Sequence, residues 1–113
     1  MATFSKQFLS ASTDGLGIAI VATGSVGTTL HTAHSTSIDE IMLYATNTNT
    51  GALNLTIEWG TTGATNSITQ SIPANAGLTL LTPGLILTNS KVVTAYAASA
   101  NKILIFGYVN RIT

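Results

Sequence analysis

The side chains best suited to chemistry in this chain lie between positions 31 and 40. His31 and His34 are followed by two adjacent carboxylates, Asp39 and Glu40. Imidazole and carboxylate groups are zinc ligands, but on a strand a spacing of three points the two imidazoles to opposite faces. Adjacent carboxylates diverge in the same way, which does not suit an acid–base pair. We therefore expect no metal site and two polar histidines on the surface or in a loop; a metal shared between subunits is the alternative.

Two short glycine motifs also lack the spacing that catalysis needs. The segment Gly24-Ser25-Val26-Gly27 is not a Gly-x-Ser-x-Gly nucleophile elbow. The segment Gly15-Leu16-Gly17 is followed by neither a third glycine nor the lysine of a phosphate-binding loop. We interpret both as turns, and we expect a protein without a catalytic site or a cofactor.

The composition favours a structural protein over an enzyme. The 113 residues include 20 threonines, 10 serines and 8 asparagines, but only four basic and four acidic side chains and no cysteine. Catalysis usually requires ionisable groups with tuned pKa values. No basic patch is visible, so neither nucleic acid nor an anionic membrane is an expected partner. The net charge of zero at pH 7 leaves self-association unopposed by long-range repulsion.

The first residues lack the features of a secretory signal. No basic segment followed by an apolar run is present, and the apolar stretch at residues 16–22 is too short to span a bilayer. We expect a protein that is made and assembled in a cytoplasm without export.

Alternating apolar residues predict strands along most of the chain. Residues 52–59 give the cleanest pattern, and residues 38–47 precede them across a turn that contains asparagine and glycine. We predict that these two strands form a hairpin. Further strands are predicted at 18–23, 28–34, 67–72, 78–82, 85–88, 92–98 and 103–112. Pro83-Gly84 is expected to be a turn, and the last two strands are expected to pair.

These strands predict an all-β fold, a single antiparallel β-sandwich of about eight strands with a jelly-roll-like arrangement. The sandwich domain is expected at residues 18–113.

The last strand carries apolar residues on both faces. Leu104, Phe106 and Tyr108 alternate with Ile103 and Ile105, so both sides of the strand should be covered. Either a loop of the same chain covers the second side, or a neighbouring subunit does. Under the second interpretation the candidate subunit-contact residues also include two apolar residues of the 38–47 strand, Met42 and Tyr44.

Trp59 continues the apolar face of Leu53, Leu55 and Ile57, and we expect it in the core. The alternative is an aromatic platform that stacks on a sugar, together with the tyrosines.

One resemblance is carried by the residues of the later strands and turns. The relevant segments are Asp39-Glu40-Ile41-Met42-Leu43-Tyr44-Ala45-Thr46-Asn47, Leu55-Thr56-Ile57-Glu58-Trp59-Gly60, Ile72-Pro73-Ala74, Gly77-Leu78, Pro83-Gly84 and Ile105-Phe106-Gly107-Tyr108-Val109-Asn110-Arg111-Ile112. This layout, over residues 38–113, resembles small β-sandwich virion proteins of tailed bacteriophages, a group that includes capsid decoration (cement) proteins.

The resemblance implies a non-enzymatic virion protein that is assembled in the host cytoplasm. It would be a homo-oligomer, often a trimer, bound to the major capsid protein on the outside of the head. It also implies an extended N-terminal arm, here residues 1–17, that grips the shell, and Phe4, Lys6 and Phe8 are its candidate contacts. The competing function is a receptor- or glycan-binding module of a phage tail or fibre.

Overall fold

Nine strands form two antiparallel sheets that pack face to face in the computed structural model, which describes residues 2–113. A single turn of 3₁₀-helix, Ala64–Asn66, is the one helical element of that range, and no helix there is long and apolar enough to cross a membrane. The strands are β1 (Phe4–Phe8), β2 (Ile18–Ala19), β3 (Thr28–Thr32), β4 (Ile38–Asn47), β5 (Leu53–Gly60), β6 (Ser67–Ile72), β7 (Thr79–Leu87), β8 (Val92–Ala97) and β9 (Ile103–Ile112). The predicted all-β sandwich is confirmed.

The order of the strands corresponds to a long antiparallel strand pair that is rolled up into two sheets. The first sheet has the order β1-β9-β4-β7, with β2 beside the other half of β9, and the second has the order β3-β8-β5-β6. Strands early in the chain therefore pair with late ones: β1 with β9, β3 with β8, β4 with β7 and β5 with β6. This is the winding of a jelly roll, in which two Greek keys share two packed sheets.

Two strand pairs predicted from short turns are wrong. β4 belongs to the first sheet and β5 to the second, so the turn at residues 48–52 crosses between the sheets and does not close a hairpin. The expected final pair, β8 and β9, is divided between the sheets in the same way. β4 instead pairs along its whole length with β9, because both strands are apolar enough to lie at the centre of one sheet.

The predicted turn at Pro83-Gly84 is also wrong, because both residues lie within β7. β7 is an edge strand, where the missing N–H of proline need not leave a partner unpaired. The pairing of β7 with β4 shifts register on both sides of Met42, and Gly84 has a φ of 101°. A bulged edge strand therefore replaces the two short strands expected at residues 78–88.

The core lies between the two sheets and consists almost entirely of aliphatic residues. Its largest fully buried members are Leu9, Ile20, Leu30, Ile41, Leu43, Leu55, Ile57, Ile72, Ile103 and Ile105. Trp59 faces the same side as its neighbours in β5 and packs against this cluster, although it remains half-buried. Trp59 therefore lies on the core side of β5 as predicted, but at the border of the core and not buried within it.

The N-terminal segment expected as an arm is largely part of the sandwich. β1 forms an edge of the first sheet, and Leu9, which follows it, is 1% exposed in the core. Thr3 and Thr113 exchange two backbone hydrogen bonds of 3.0 and 2.9 Å. The segment is held because β9 offers it a free edge to pair with. Met1, the first residue of the expected arm, lies outside the described residues.

Candidate functional site

All eight residues predicted as subunit or shell contacts lie on one surface, the side of the first sheet that faces away from the core. We call this surface the outer face. Cross-strand register places its members side by side: Phe8 beside Tyr108 and Tyr108 beside Met42, then Phe106 beside Tyr44. The full set is Phe4, Lys6, Phe8, Ile38, Glu40, Met42, Tyr44, Thr46, Leu80, Pro83, Ile86, Leu104, Phe106, Tyr108, Asn110 and Ile112.

The outer face is apolar over most of its area. Phe4 and Phe8 are 64% and 61% exposed, and Leu80 and Ile86 of β7 are also exposed. The predicted contact residues of β4 and β9 are half-buried between these two edges. A contiguous apolar surface of this kind is uncommon on a monomeric protein and usually marks a contact surface.

One loop of the same chain covers part of the outer face. A Cβ atom added to Gly17 would lie 2.8 Å from the ring of Phe106, and one added to Gly15 would lie 3.5 Å from the ring of Phe8. The loop between β1 and β2 thus crosses the sheet at its aromatic rings. The second side of the last strand was expected to be covered either by a loop of the same chain or by a neighbouring subunit. At Phe106 it is covered by the loop.

Charge on the outer face is confined to one row across the strands. Lys6 of β1, Asn110 of β9 and Glu40 of β4 are successive neighbours in this row. The ammonium group of Lys6 also lies 4.5 Å from the centre of the Tyr108 ring, a favourable cation–π distance. The two opposite charges therefore lie on either side of β9.

The buried carboxylate of Asp39 joins several segments beneath the opposite side of the sheet. Its Oδ1 accepts a hydrogen bond of 2.7 Å from Arg111 Nε, and its Oδ2 accepts bonds from Arg111 Nη2, from His31 Nε2 and from the backbone N–H of His34. Burial acts to raise the pKa of Asp39, but these donors outweigh it and lower the pKa to about 2. The carboxylate is therefore an ionised anchor between β3, β4 and β9.

The prediction that both histidines are surface or loop residues is wrong for His31. A bulge in β3 between Thr29 and His31 turns Leu30 and His31 together into the interior, where His31 is 1% exposed. Its Nδ1 accepts the Ser10 backbone N–H at 2.9 Å, so Nε2 carries the proton given to Asp39 at 2.7 Å. His34 does lie in the loop, where its Nδ1 accepts the N–H groups of Thr36 and Ser37.

Ser10 contacts this network through its backbone and not through its hydroxyl group. The Ser10 hydroxyl accepts the Thr32 N–H, and the contact of Ser10 with His31 is through its backbone N–H. Within residues 2–113, no three histidine, aspartate or glutamate side chains are grouped so as to hold a metal ion. The hydrogen bonds that Asp39 accepts link its strand β4 to β3, to β9 and to the loop at His34.

A second buried carboxylate lies on the solvent side of the second sheet. Glu58 Oε1 accepts hydrogen bonds from Thr94 Oγ1 at 2.6 Å and from the Gly27 N–H at 2.8 Å, and Oε2 accepts one from Ser25 Oγ at 2.5 Å. Burial acts to raise the pKa of Glu58, but the bonds from Ser25, Thr94 and Gly27 lower it below its usual value. Gly27 is essential to this contact, because a Cβ atom there would collide with the backbone of Ala95.

The loop that covers Glu58 also forms one wall of an open groove. The groove runs over the second sheet between this loop and residues 62–64. Its floor is formed by side chains of β5, β6 and β8, which are Thr56, Glu58, Ser67, Thr69 and Tyr96. Alternation along the sequence places Glu58 on a solvent-facing side, but nothing in the sequence indicates the loop that closes over it.

Comparison of the chain with protein-family models, with curated proteins and with solved structures gives no match.

Proposed function

We propose that this protein is a non-enzymatic structural component of a bacteriophage virion, a capsid decoration protein that binds the outside of the head as a homo-oligomer. The observation that carries the proposal is the apolar outer face of the first sheet, where Phe8, Met42 and Tyr108 are neighbours. Jelly rolls serve many functions, including viral capsid and lectin domains, so the fold alone does not decide the matter. The number of subunits, three, comes from the resemblance to virion proteins.

Subunit contact through the outer face suits both its apolar area and its charges. Burial of apolar surface contributes about 25 cal/mol per Å², and a contact of this kind depends little on salt. Lys6 and Glu40 lie on opposite sides of β9. When one copy presents its Lys6 side to the Glu40 side of a neighbouring copy, the two opposite charges pair. Met42, Tyr44, Leu104 and Tyr108 are the proposed subunit contacts; Phe106, predicted as a fifth, is covered by the loop between β1 and β2.

Contact with the major capsid protein is assigned to the edge strand β1. Phe4 and Phe8 are exposed there, and Lys6 lies between them. Deletion of residues 2–17 is not a usable test of this contact, because it also removes β1 and the core residue Leu9. Single substitutions at exposed positions keep the fold intact.

The oligomer is tested by light scattering at micromolar concentration in low and high salt. We expect a single oligomer that persists in high salt, and we expect Leu80→Glu to dissociate it, because Leu80 is 48% exposed beside Tyr44. Val26→Glu is the matched control, since Val26 is 67% exposed in the loop whose Ser25 and Gly27 contact Glu58 of the second sheet. A wild-type chain that is monomeric under these conditions would refute the assembly.

The shell contact is tested by sedimentation with capsids that lack the protein. We expect Phe8→Glu to lower the amount that co-sediments, while Val26→Glu leaves it unchanged. Equal binding by both variants would exclude β1 as the contact.

A further inference from the structure

The two solvent-facing sides of the sandwich have opposite chemistry. Rings and aliphatic chains cover most of the first sheet, whereas hydroxyl and amide groups cover the second. The positions of β5, β6 and β8 on the side away from the core are Asn54, Thr56, Glu58, Gly60, Ser67, Thr69, Ser71, Val92, Thr94 and Tyr96. Glu58 and Thr94 are buried on this side beneath the loop that contains Ser25 and Gly27. An apolar partner on the first sheet therefore leaves this second polar surface open.

We propose that the groove on the second sheet binds a neutral saccharide. The inference goes beyond a structural role in the virion, and it does not depend on which partner covers the outer face. It rests on three properties of the groove: its fixed carboxylate, its single aromatic ring and the absence of cationic side chains among its lining residues.

Glu58 supplies a strong and rigid acceptor. A carboxylate has about four acceptor sites, and three of them are used by Ser25, Gly27 and Thr94. These bonds fix the group before any ligand arrives, so ordering it costs a ligand little. The remaining site favours a donor, such as the hydroxyl group of a sugar.

Tyr96 supplies the apolar part of the site. It is half-buried on β8 and is the one aromatic residue that lines the groove. A sugar ring presents C–H groups on one face and hydroxyl groups around its edge. An aromatic ring beside a row of hydroxyl groups matches both properties, since tyrosine combines an apolar body with a polar tip. Thr56 and Thr69 are cross-strand neighbours next to Tyr96, and each can donate and accept.

The charge of the groove selects against other ligand classes. Its lining includes the ionised carboxylate of Glu58 but no lysine, arginine or histidine. A phosphate, a sulfated sugar or a sialylated sugar would meet repulsion without a compensating cation. An apolar ligand would cover the hydroxyl groups of the groove and leave them without hydrogen-bond partners. A neutral polyhydroxylated molecule satisfies both conditions.

The test is a printed array of neutral oligosaccharides with sialylated and sulfated counterparts, followed by calorimetry with the best neutral sugar. We expect binding to neutral sugars only. Tyr96→Ala should weaken this binding about tenfold, the loss of roughly one favourable ring contact. Thr69→Val, at an exposed position of β6, should weaken it about threefold to tenfold through the lost hydrogen bond.

Thr32→Val is the matched control, because Thr32 is an exposed threonine on the opposite edge strand of the same sheet. It should bind the sugar as the wild type does. The proposal is overturned if no neutral sugar binds, if acidic sugars bind as well, or if Thr69→Val and Thr32→Val have equal affinity. Light scattering reports on the oligomer separately, so failure of the sugar site and failure of the assembly are distinguishable.

Discussion

Asp39 is the residue on which the interior polar contacts converge. It is fully buried, and it receives hydrogen bonds from two side chains and one backbone group. Its pKa of about 2 lies below the ordinary 3.8. A carboxyl whose pKa is lower in the folded state stabilises the fold above its unfolded pKa, and that contribution is lost as the pH falls through the folded value.

Acid should therefore weaken the fold in the range from pH 4 to pH 2. We expect Asp39 to account for a loss of about 2 kcal/mol across this range, measured as the fall in the urea midpoint. Glu58 adds a loss of the same sign, because its pKa is also lowered. Asp39→Asn should flatten the dependence, whereas Asp14→Asn, at an exposed position, should leave it unchanged. Identical slopes in the two variants would show that Asp39 is not the group responsible.

The interior location of His31 could not be predicted from the alternation of residues along β3. Strict alternation places residues 30 and 31 on opposite faces, and the bulge in β3 places both inside. A bulge adds one unpaired residue without a fixed sequence signal. For this reason the hydrogen-bond network of Asp39 could not be predicted. The prediction that Asp39 and Glu40 point to opposite faces is confirmed, because Asp39 is buried and Glu40 is partly exposed.

At the scale of the strands, the closest backbone approach in the first sheet is between β9 and β4. A Cβ atom on Gly107 would collide with the backbone carbonyl of Met42. Glycine is needed there for space, since its φ is not in the left-handed region.

Gly107→Ala should consequently force the central strands apart. We expect a loss of about 1–3 kcal/mol or more in unfolding free energy, the usual cost of overpacking, measured by urea denaturation. Gly51→Ala is the control, because a Cβ atom there meets nothing within 4 Å; it should change stability by less than about 0.5 kcal/mol. Equal unfolding free energies of the two variants would mean that β9 and β4 can move apart at Gly107 without a loss of stability.

The strands themselves were predictable, but their partners were not. Period-two alternation identifies β4, β5, β6, β8 and β9 closely, because each buries one face in the core. A short turn between two strands does not indicate whether the second strand joins the same sheet. Here the turn at residues 48–52 crosses the sandwich, and only the apolar character of both sides of β9 pointed to a central position.

For the whole molecule, the jelly-roll winding joins residues from opposite ends of the sequence. Only β5 and β6 pair across a short loop, and each earlier strand pairs with a partner progressively farther along the chain. Short-range turn rules fail in such a fold because they describe neighbours in sequence. The same winding creates the outer face, where the first and last strands meet, and this juxtaposition could not be predicted from either segment alone.

The two hydrogen bonds between Thr3 and Thr113 have a consequence for the entropy of the unfolded chain. Because these residues already touch, a short peptide linker can close the polypeptide into a covalent ring without disturbing the sheet. Ring closure removes many conformations from the unfolded ensemble and none from the folded one. By the loop-closure relation for about 100 residues, the cyclised protein should gain up to about 5 kcal/mol, measured as a higher urea midpoint than that of a linear chain carrying the same linker. Equal midpoints would mean that the ends separate before the sandwich unfolds.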